Sequence, residues 1–404
     1  MYIYKAGVVG GGAMGAEIAQ VITYSGLPVV LVELSMELAE KAKEKTRKIY
    51  QGRVSKGKMT DSELENKMAL ITVTDKMEDL ADVDIVIEAV PENLKIKEEV
   101  YKKLDEIVQP EAIFVSNTSA LSITKMASFV KRSERFAGMH FFNPAHVMKL
   151  VEVIPGLQTD EEVTQDVVAF AESLRKIPVI VQECGGFLVN RLLMPYLNEA
   201  VFALQEGAAT AEEMDKAMAD FGLPMGPASL ADMLGLDVCV AVADILYDFY
   251  GERMKPAEML RKMMEAGRLG TKSGKGFYTY PEGGTGDLAA MIEETQKETG
   301  VKGTDFSVHR LIFPMVNEAI ICLQEKVASA RDIDIAMMAG TGFPRGKEGP
   351  LHYADEVGLD SVLTEMEALK KKFGMRFHPA PMLKRMVAAG YLGKKSNKGF
   401  FDYV

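Results

Sequence analysis

Cysteine and histidine are scarce in this chain. The three cysteines, Cys184, Cys239 and Cys322, lie 55 and 83 residues apart. An odd number without a C-x-x-C spacing supports neither a disulfide framework nor a cysteine zinc site. The five histidines (His140, His146, His309, His352 and His378) include no H-x-x-x-H pair, so no metal is expected. Basic residues are outnumbered: Lys plus Arg total 47 against 58 Asp plus Glu, a net charge of −11. Such a surface repels a phosphate backbone and excludes a general nucleic-acid binder, while leaving room for a local basic pocket. A membrane span is lacking as well, because the most apolar long stretch, Met233 to Tyr250, carries Asp237, Asp244 and Asp248. Met1-Tyr2-Ile3-Tyr4-Lys5 does not start a charged-then-apolar signal segment. The expectation is a soluble, cytoplasmic protein with neither nucleic acid nor membrane as partner.

What is present is an ordinary globular composition, 48% hydrophobic and 26% charged over 404 residues, enough for two to three domains. Up to about residue 183, short β-branched runs alternate with helix-length amphipathic stretches. The runs are Ala6 to Val9, Val29 to Val32, Ile85 to Ala89, Ile113 to Val115, Phe136 to Phe142, Leu150 to Ile154 and Val179 to Val181. This pattern predicts buried parallel strands with helical crossovers. From Gly185 onward strand-like runs vanish, and helical periodicity rich in Met, Leu and Ala takes over.

The helical half repeats itself. Phe187 to Ala200 (FLVNRLLMPYLNEA) matches Phe306 to Ala319 (FSVHRLIFPMVNEA) at an offset of 119. Gly235-Leu-Asp237 matches Gly358-Leu-Asp360, and Leu269 to Phe277 matches Leu392 to Phe400, both at an offset of 123. Two copies of about one hundred residues read as two small helical domains rather than a solenoid. The expected boundaries are 1–183 for the α/β domain, 184–281 for the first helical copy, 282–303 for a linker with a short charged helix, and 304–404 for the second copy.

Gly10-Gly-Gly12-Ala-Met-Gly15 follows the apolar run ending at Val9 and opens a helical pattern, the context in which G-x-G-x-x-G binds a dinucleotide. Gly10 permits the tight turn, Gly12 lets backbone approach a pyrophosphate, and Gly15 allows close helix–strand packing. Amides around Ala13 and Met14 then face the phosphates from the helix N-terminus. Glu33, at the end of the second apolar run, lies 21 residues after Gly12. A carboxylate there accepts from the adenosine ribose and repels a 2′-phosphate, which selects NAD over NADP. Further on, His140 closes an apolar run, and Glu152 follows 12 residues later in the next one. A histidine beside a nicotinamide can accept a hydroxyl proton while hydride leaves the same carbon, with the carboxylate stabilising the imidazolium. The residues alone equally allow a buried histidine satisfied by Glu152 for packing.

Three strings decide between these. Asn117-Thr-Ser119-Ala-Leu, His140-Phe-Phe-Asn143-Pro with Val147-Met-Lys-Leu-Val-Glu152, and Gly186-Phe-Leu-Val-Asn190-Arg resemble the 3-hydroxyacyl-CoA dehydrogenase family over nearly the whole chain. The resemblance implies an α/β Rossmann-type domain followed by helical domains, with the active site in the cleft between them. It implies His140 as catalytic base and Glu152 as its partner. Ser119 and Asn190 correspond to residues that contact the substrate oxygen, Ser119 also lying near the nicotinamide, and Asn143 stands beside the ring. Glu92 and Lys97 resemble residues lining the cofactor ribose, and Lys272 a lysine near the cofactor. Lys56, in a basic cluster with Arg53 and Lys58, matches lysines that meet the CoA phosphates, as cations should for an anionic handle. Ala120 departs from the pattern, since many relatives have a second serine there.

The second helical copy departs further. Asn190 becomes His309, Pro224-Met-Gly-Pro227 becomes Pro344 to Pro350, and no second glycine fingerprint exists, so this copy is expected to be non-catalytic. Its arrangement resembles the end of the multifunctional fatty-acid β-oxidation enzymes. Two-domain relatives dimerise through their single helical domain, so the extra copy is expected to replace a partner, giving an internal pseudo-dimer that is monomeric or assembles further. The implied activity is oxidation of a (3S)-3-hydroxyacyl-CoA by NAD, on short chains such as 3-hydroxybutyryl-CoA, in fatty-acid β-oxidation or butanoate-type metabolism. Two alternatives stay open: a dehydrogenase of a free hydroxy or sugar acid, and a non-catalytic NAD or acyl-CoA binder.

Overall fold

The apolar runs of the first half become one eight-stranded sheet. Its strands are β1 (Ala6–Val9), β2 (Val29–Val32), β3 (Ile71–Thr74), β4 (Ile85–Glu88), β5 (Ile113–Ser116), β6 (Phe136–Phe141), β7 (Leu150–Pro155) and β8 (Ile177–Ile180), in the order β3-β2-β1-β4-β5-β6-β7-β8. The computed structural model describes residues 1–281 and 288–403, which divide into two units, Met1–Phe187 and Leu188–Val404. β1, β2, β4 and β5 are buried along their whole length, as parallel strands covered on both faces must be. The covering helices are α1 (Ala13–Tyr24), α2 (Met36–Val54), α3 (Asp61–Met68), α4 (Leu94–Ile107), α5 (Ile123–Ala127) and α6 (Glu161–Ser173). Their starts are set by local chemistry: Ser35, Thr60 and Asn93 each accept a backbone N–H of the helix they precede.

Two expectations for this sheet need correction. β3, Ile71-Thr-Val-Thr74, escaped the search for apolar runs because it is an edge strand, buried at Ile71 and Thr74 only. The sheet is also not parallel throughout, since β6 and β7 run antiparallel with Ala137 to Phe141 facing Pro155 to Val151. The connection between them, residues 142–149, is too short for a crossover and can only reverse the chain.

Among the described residues the second unit has helices only. The first copy comprises α7 (Val189–Gln205), α8 (Ala211–Phe221), α9 (Pro227–Leu234), α10 (Leu236–Tyr250) and α11 (Glu258–Glu265). α12 (Leu288–Thr299) lies within the segment expected as a linker and packs on α7 and α11, while residues 282–287 of that segment fall outside the described residues. The second copy repeats the series as α13 (Val308–Gln324), α14 (Ala330–Thr341), α15 (Pro350–Val357), α16 (Leu359–Phe373) and α17 (Pro381–Ala388).

The copies meet through α7 and α13. Arg191 on α7 donates to Glu318 and Glu325 at 2.7 Å each, and Arg310 on α13 donates to Glu199 at 2.8 Å and Glu206 at 2.6 Å. Arg253 and Arg376 add a second guanidinium to Glu318 and Glu199 respectively. Residue pairs are thus exchanged between equivalent positions, the signature of a two-fold contact made within one chain. No helix among the described residues is long and apolar enough to cross a membrane.

Candidate active site

The glycine turn lies between β1 and α1, and each glycine has its own steric reason. Gly10 adopts φ +96°, and a Cβ there would meet the Ala89 carbonyl at 2.7 Å. A Cβ on Gly15 would fall 1.7 Å from the Gly10 carbonyl, so helix and turn touch only because it is absent. Gly11 is equally constrained, by Ala42 at 2.4 Å, a requirement the motif does not announce. At Gly12 a Cβ would meet nothing within 4 Å, which leaves an open cradle in front of the amides of Ala13 and Met14 at the start of α1. This is the geometry that receives a pyrophosphate. Glu33 follows β2 and bends back over the turn, accepting the Gly11 N–H at 2.6 Å and the Leu34 N–H at 3.0 Å.

Behind the next strand lies a buried charged chain. Glu88, fully buried at the end of β4, accepts from Lys97 at 2.6 Å, Ser116 at 2.7 Å and Tyr101 at 3.2 Å. Burial and the Glu88 charge push the Tyr101 phenol well above its usual pKa. Lys97 is itself only 1% exposed and also reaches Glu92 at 3.3 Å. Glu92 accepts from the Thr118 hydroxyl and from the Ser119 N–H, the latter at 3.0 Å. Lys97 is therefore turned inward onto two carboxylates, and Glu92 anchors the loop that presents the exposed Ser119. Glu88 and Thr118 carry no signal of this role in the sequence, because only the fold brings β4, α4 and the 117–119 loop together.

His140 and Glu152 face each other across the antiparallel β6–β7 pair, and Nδ1 lies 2.7 Å from a Glu152 oxygen. Glu152 is fully buried and His140 is 5% exposed, packed beside the rings of Phe142 and Phe187. An ionised carboxylate can only accept, so Nδ1 carries the proton of this bond, and in the neutral imidazole Nε2 is the nitrogen left with a lone pair. The strand end is fixed by Asn117, whose side chain accepts the Phe141 N–H at 2.9 Å. Asn143 and Ser119 are both exposed on loops at this end of the sheet, after β6 and β5 respectively. In open α/β sheets, ligands bind beyond the carboxyl ends of parallel strands.

The remaining expected residues belong to other elements. Arg53 is engaged with Tyr24, through a hydrogen bond of 2.8 Å and a ring contact, whereas Lys56 and Lys58 are exposed just after α2. Asn190 belongs to the second unit, in the first turn of α7. Lys272, also in the second unit, pairs with Asp237, and the second copy repeats the pair as Lys395 with Asp360. A pair that recurs where no glycine turn exists needs no cofactor to explain it.

Comparison with known proteins supplies the family. Residues 5–184 match the NAD-binding domain of 3-hydroxyacyl-CoA dehydrogenase, and residues 186–280 and 306–403 both match its C-terminal domain. A crystal structure of 3-hydroxybutyryl-CoA dehydrogenase from Escherichia coli is 30% identical, covers 97% of this chain and all of its own, and superposes with a TM-score of 0.87. The chain belongs to the 3-hydroxyacyl-CoA dehydrogenase family. Within it, (S)-3-hydroxybutyryl-CoA dehydrogenase from Ralstonia eutropha is 42% identical over 69% of this chain and 99% of its own, with a TM-score of 0.68. Fatty acid oxidation complex subunit alpha from Psychrobacter sp. (strain PRwf-1) is 38% identical over 403 residues, 96% of this chain. The chain spans about half the length, 55%, of that curated relative. Both helical copies are thus family C-terminal domains, and the glycine turn belongs to an NAD-binding domain of this family.

Proposed function

We propose that this chain interconverts (3S)-3-hydroxyacyl-CoA and 3-oxoacyl-CoA with NAD, on short acyl chains, in fatty-acid oxidation. The observation that carries the reading is the buried His140–Glu152 pair at 2.7 Å, on the sheet that begins with the glycine turn. His140 Nε2 takes the proton of the C3 hydroxyl, and Glu152 holds the ring in the tautomer that leaves Nε2 free and then stabilises the imidazolium. Ser119 steadies the oxygen as it becomes a carbonyl, its loop being anchored by Glu92. Asn190 has the same role by family resemblance.

The open cradle at Gly12, the helix start at Ala13 and the carboxylate of Glu33 fit NAD. When bound, that cofactor supplies the acceptor for the hydride leaving C3. Glu33 disfavours a 2′-phosphate, and the exposed Lys56 gives the CoA phosphates a cation. Short acyl chains are favoured by the names of the E. coli and R. eutropha relatives.

The test is reduction of acetoacetyl-CoA by NADH, set against free acetoacetate and against NADPH. The expected result is turnover with acetoacetyl-CoA and NADH, poor use of NADPH, and a loss of about 10²–10⁴ in rate for His140→Gln. Equal use of free acetoacetate would favour a free hydroxy acid as substrate. NADH binding without turnover on either compound would leave only a binder.

A further inference from the structure

Residues 142–149, which join β6 to β7 and carry Asn143, are gripped from outside by two charged side chains. Glu17 projects from α1, two residues beyond Gly15, and accepts the backbone N–H of Ala145; its carboxylate also lies 3.5 Å from Nδ1 of His146. Lys176, one residue before β8, donates to the carbonyl of Ala145 and, at 2.8 Å, to that of Met148. Between these anchors the loop closes on itself, the Pro144 carbonyl accepting from Val147 and Met148 at 3.0 and 2.9 Å. Both backbone polar groups of Ala145, a residue 1% exposed, are therefore held by charges from two distant elements.

The expense of this arrangement argues for a purpose. Among the described residues no carboxylate lies within ion-pair distance of Lys176, so its ammonium is hydrogen-bonded to carbonyls alone, with Glu17 acting on it from further off. Holding a half-buried ammonium on carbonyls without a paired carboxylate is unfavourable unless the groups it holds must be held. What the loop carries is Asn143. What lies at the other end of the grip is α1, whose N-terminus forms the glycine turn.

We propose that Glu17 and Lys176 are positioning residues for the nicotinamide end of the cofactor, setting the loop that presents Asn143 and tying it to the helix behind the glycine turn. The inference rests on the assignment of Asn143 to the nicotinamide. Burial, together with the nearby Lys149 charge, brings the Lys176 pKa down to about 8, against an upward pull from Glu17. The charged groups facing the ammonium are thus Glu17 from α1 and Lys149 from the loop, with His146 on the far side of Glu17. Above about pH 8 the two charge-assisted bonds become neutral ones, roughly half as strong, and the grip on the loop weakens.

The experiment measures the Kd of NADH by its fluorescence on the full chain, with KM for NADH and for acetoacetyl-CoA alongside. Lys176→Met and Glu17→Gln should each raise the NADH Kd about 10-fold, the scale of one lost hydrogen bond to a charged group, with KM for acetoacetyl-CoA little changed. Native protein should lose NADH affinity between roughly pH 7.5 and 9.5, and Lys176→Arg, which stays charged, should bind at pH 7 and lack that alkaline loss. Asn143→Ala combined with Lys176→Met should bind no more weakly than Asn143→Ala alone, because both act through one contact. Native NADH affinity in Lys176→Met, an alkaline loss retained by Lys176→Arg, or additive effects in the double variant would each overturn the grip while leaving Asn143 in place. Native affinity in Asn143→Ala would overturn the assignment of Asn143, and the proposal with it. Should Lys176→Met not fold, the pH profile of Lys176→Arg decides.

Discussion

In the first helical copy Asn198 donates to the Lys255 carbonyl and accepts from the Ala257 N–H; in the second, Asn317 does the same with His378 and Ala380, and all four bonds measure 2.8 or 2.9 Å. Asp232 accepts the N–H groups of Phe277 and Tyr278 and the hydroxyl of Tyr280, and Asp355 those of Phe400, Phe401 and Tyr403. These parts of the internal frame are therefore duplicated bond for bond. The surfaces are not. Where the first copy exposes Met233 and Val238 at the α9–α10 corner, the second carries Glu356 and Ser361. Where the first copy has Asn190, Leu230 and Val242, the second has His309, which meets Glu365 at 2.7 Å and the Tyr353 hydroxyl at 3.3 Å. Buried polar groups must be matched or they cost stability, whereas a surface accepts either chemistry. The frame thus reports folding, and the faces report what each copy is for.

The strongest way to break the comparison is to remove one copy. Deleting residues 304–404 uncovers the face of α7 and leaves Arg191, Glu199 and Glu206 without their partners on α13 and at Arg376, just after α16. The shortened chain should dimerise or aggregate in sedimentation experiments. A soluble monomer would mean that the contact between copies is dispensable.

Next in size, Arg310→Met should cost about 3–5 kcal/mol in denaturant unfolding, since it leaves the buried Glu199 and Glu206 with one fewer cation. Burial already pushes the Glu199 carboxyl above its ordinary pKa, against the pull of Arg376 and Arg310. Arg191→Met should cost less, because Glu325 is 45% exposed and water can take the place of the lost guanidinium. Equal losses would show that the two halves of the contact are energetically the same.

Asn190 and His309 sharpen the comparison of the faces. Asn190→Ala should lower turnover of acetoacetyl-CoA by about 10²-fold, the scale of a lost hydrogen bond to a developing oxyanion, while His309→Asn should leave turnover unchanged. An equal fall in both would assign catalytic work to the second copy.

The smallest effect is expected at the matched lysines. Lys272 and Lys395 are about equally exposed, as are their partners Asp237 and Asp360. Each holds its aspartate below the usual carboxylate range through a hydrogen bond. Lys272→Met and Lys395→Met should each cost at most about 1 kcal/mol and leave NADH affinity alone. Weaker NADH binding in Lys272→Met only would place that residue at the cofactor, as the family resemblance implies.

The glycine turn and the repeated helices were legible in the sequence because both are written in short strings whose steric meaning is local. Gly10 and Gly15 stand where the motif requires them, for reasons visible as a 2.7 Å and a 1.7 Å conflict with any side chain. His140 and Glu152 were legible as a pair, but not the way they meet: the antiparallel turn of β6 into β7 makes them register partners. β3 was missed because an edge strand with alternating threonines carries little apolar signal. Glu92, Lys97 and Ser119 were named by resemblance, but their linkage through Glu88 was missed because neither the charge on Lys97 nor that on Glu88 announces burial.

By itself, then, the sequence determined most of the strands and the change to helices, two of the places where the backbone must pass without a side chain, and that the second half is written twice. These are decisions taken within a few residues, by hydrophobic period and by sterics. Only the tertiary structure decided which charge meets which. Arg191 finds Glu318 across 127 residues, and Lys176 reaches Ala145 across 31. A buried charge is stable only beside its partner, and packing alone determines which partner is within reach.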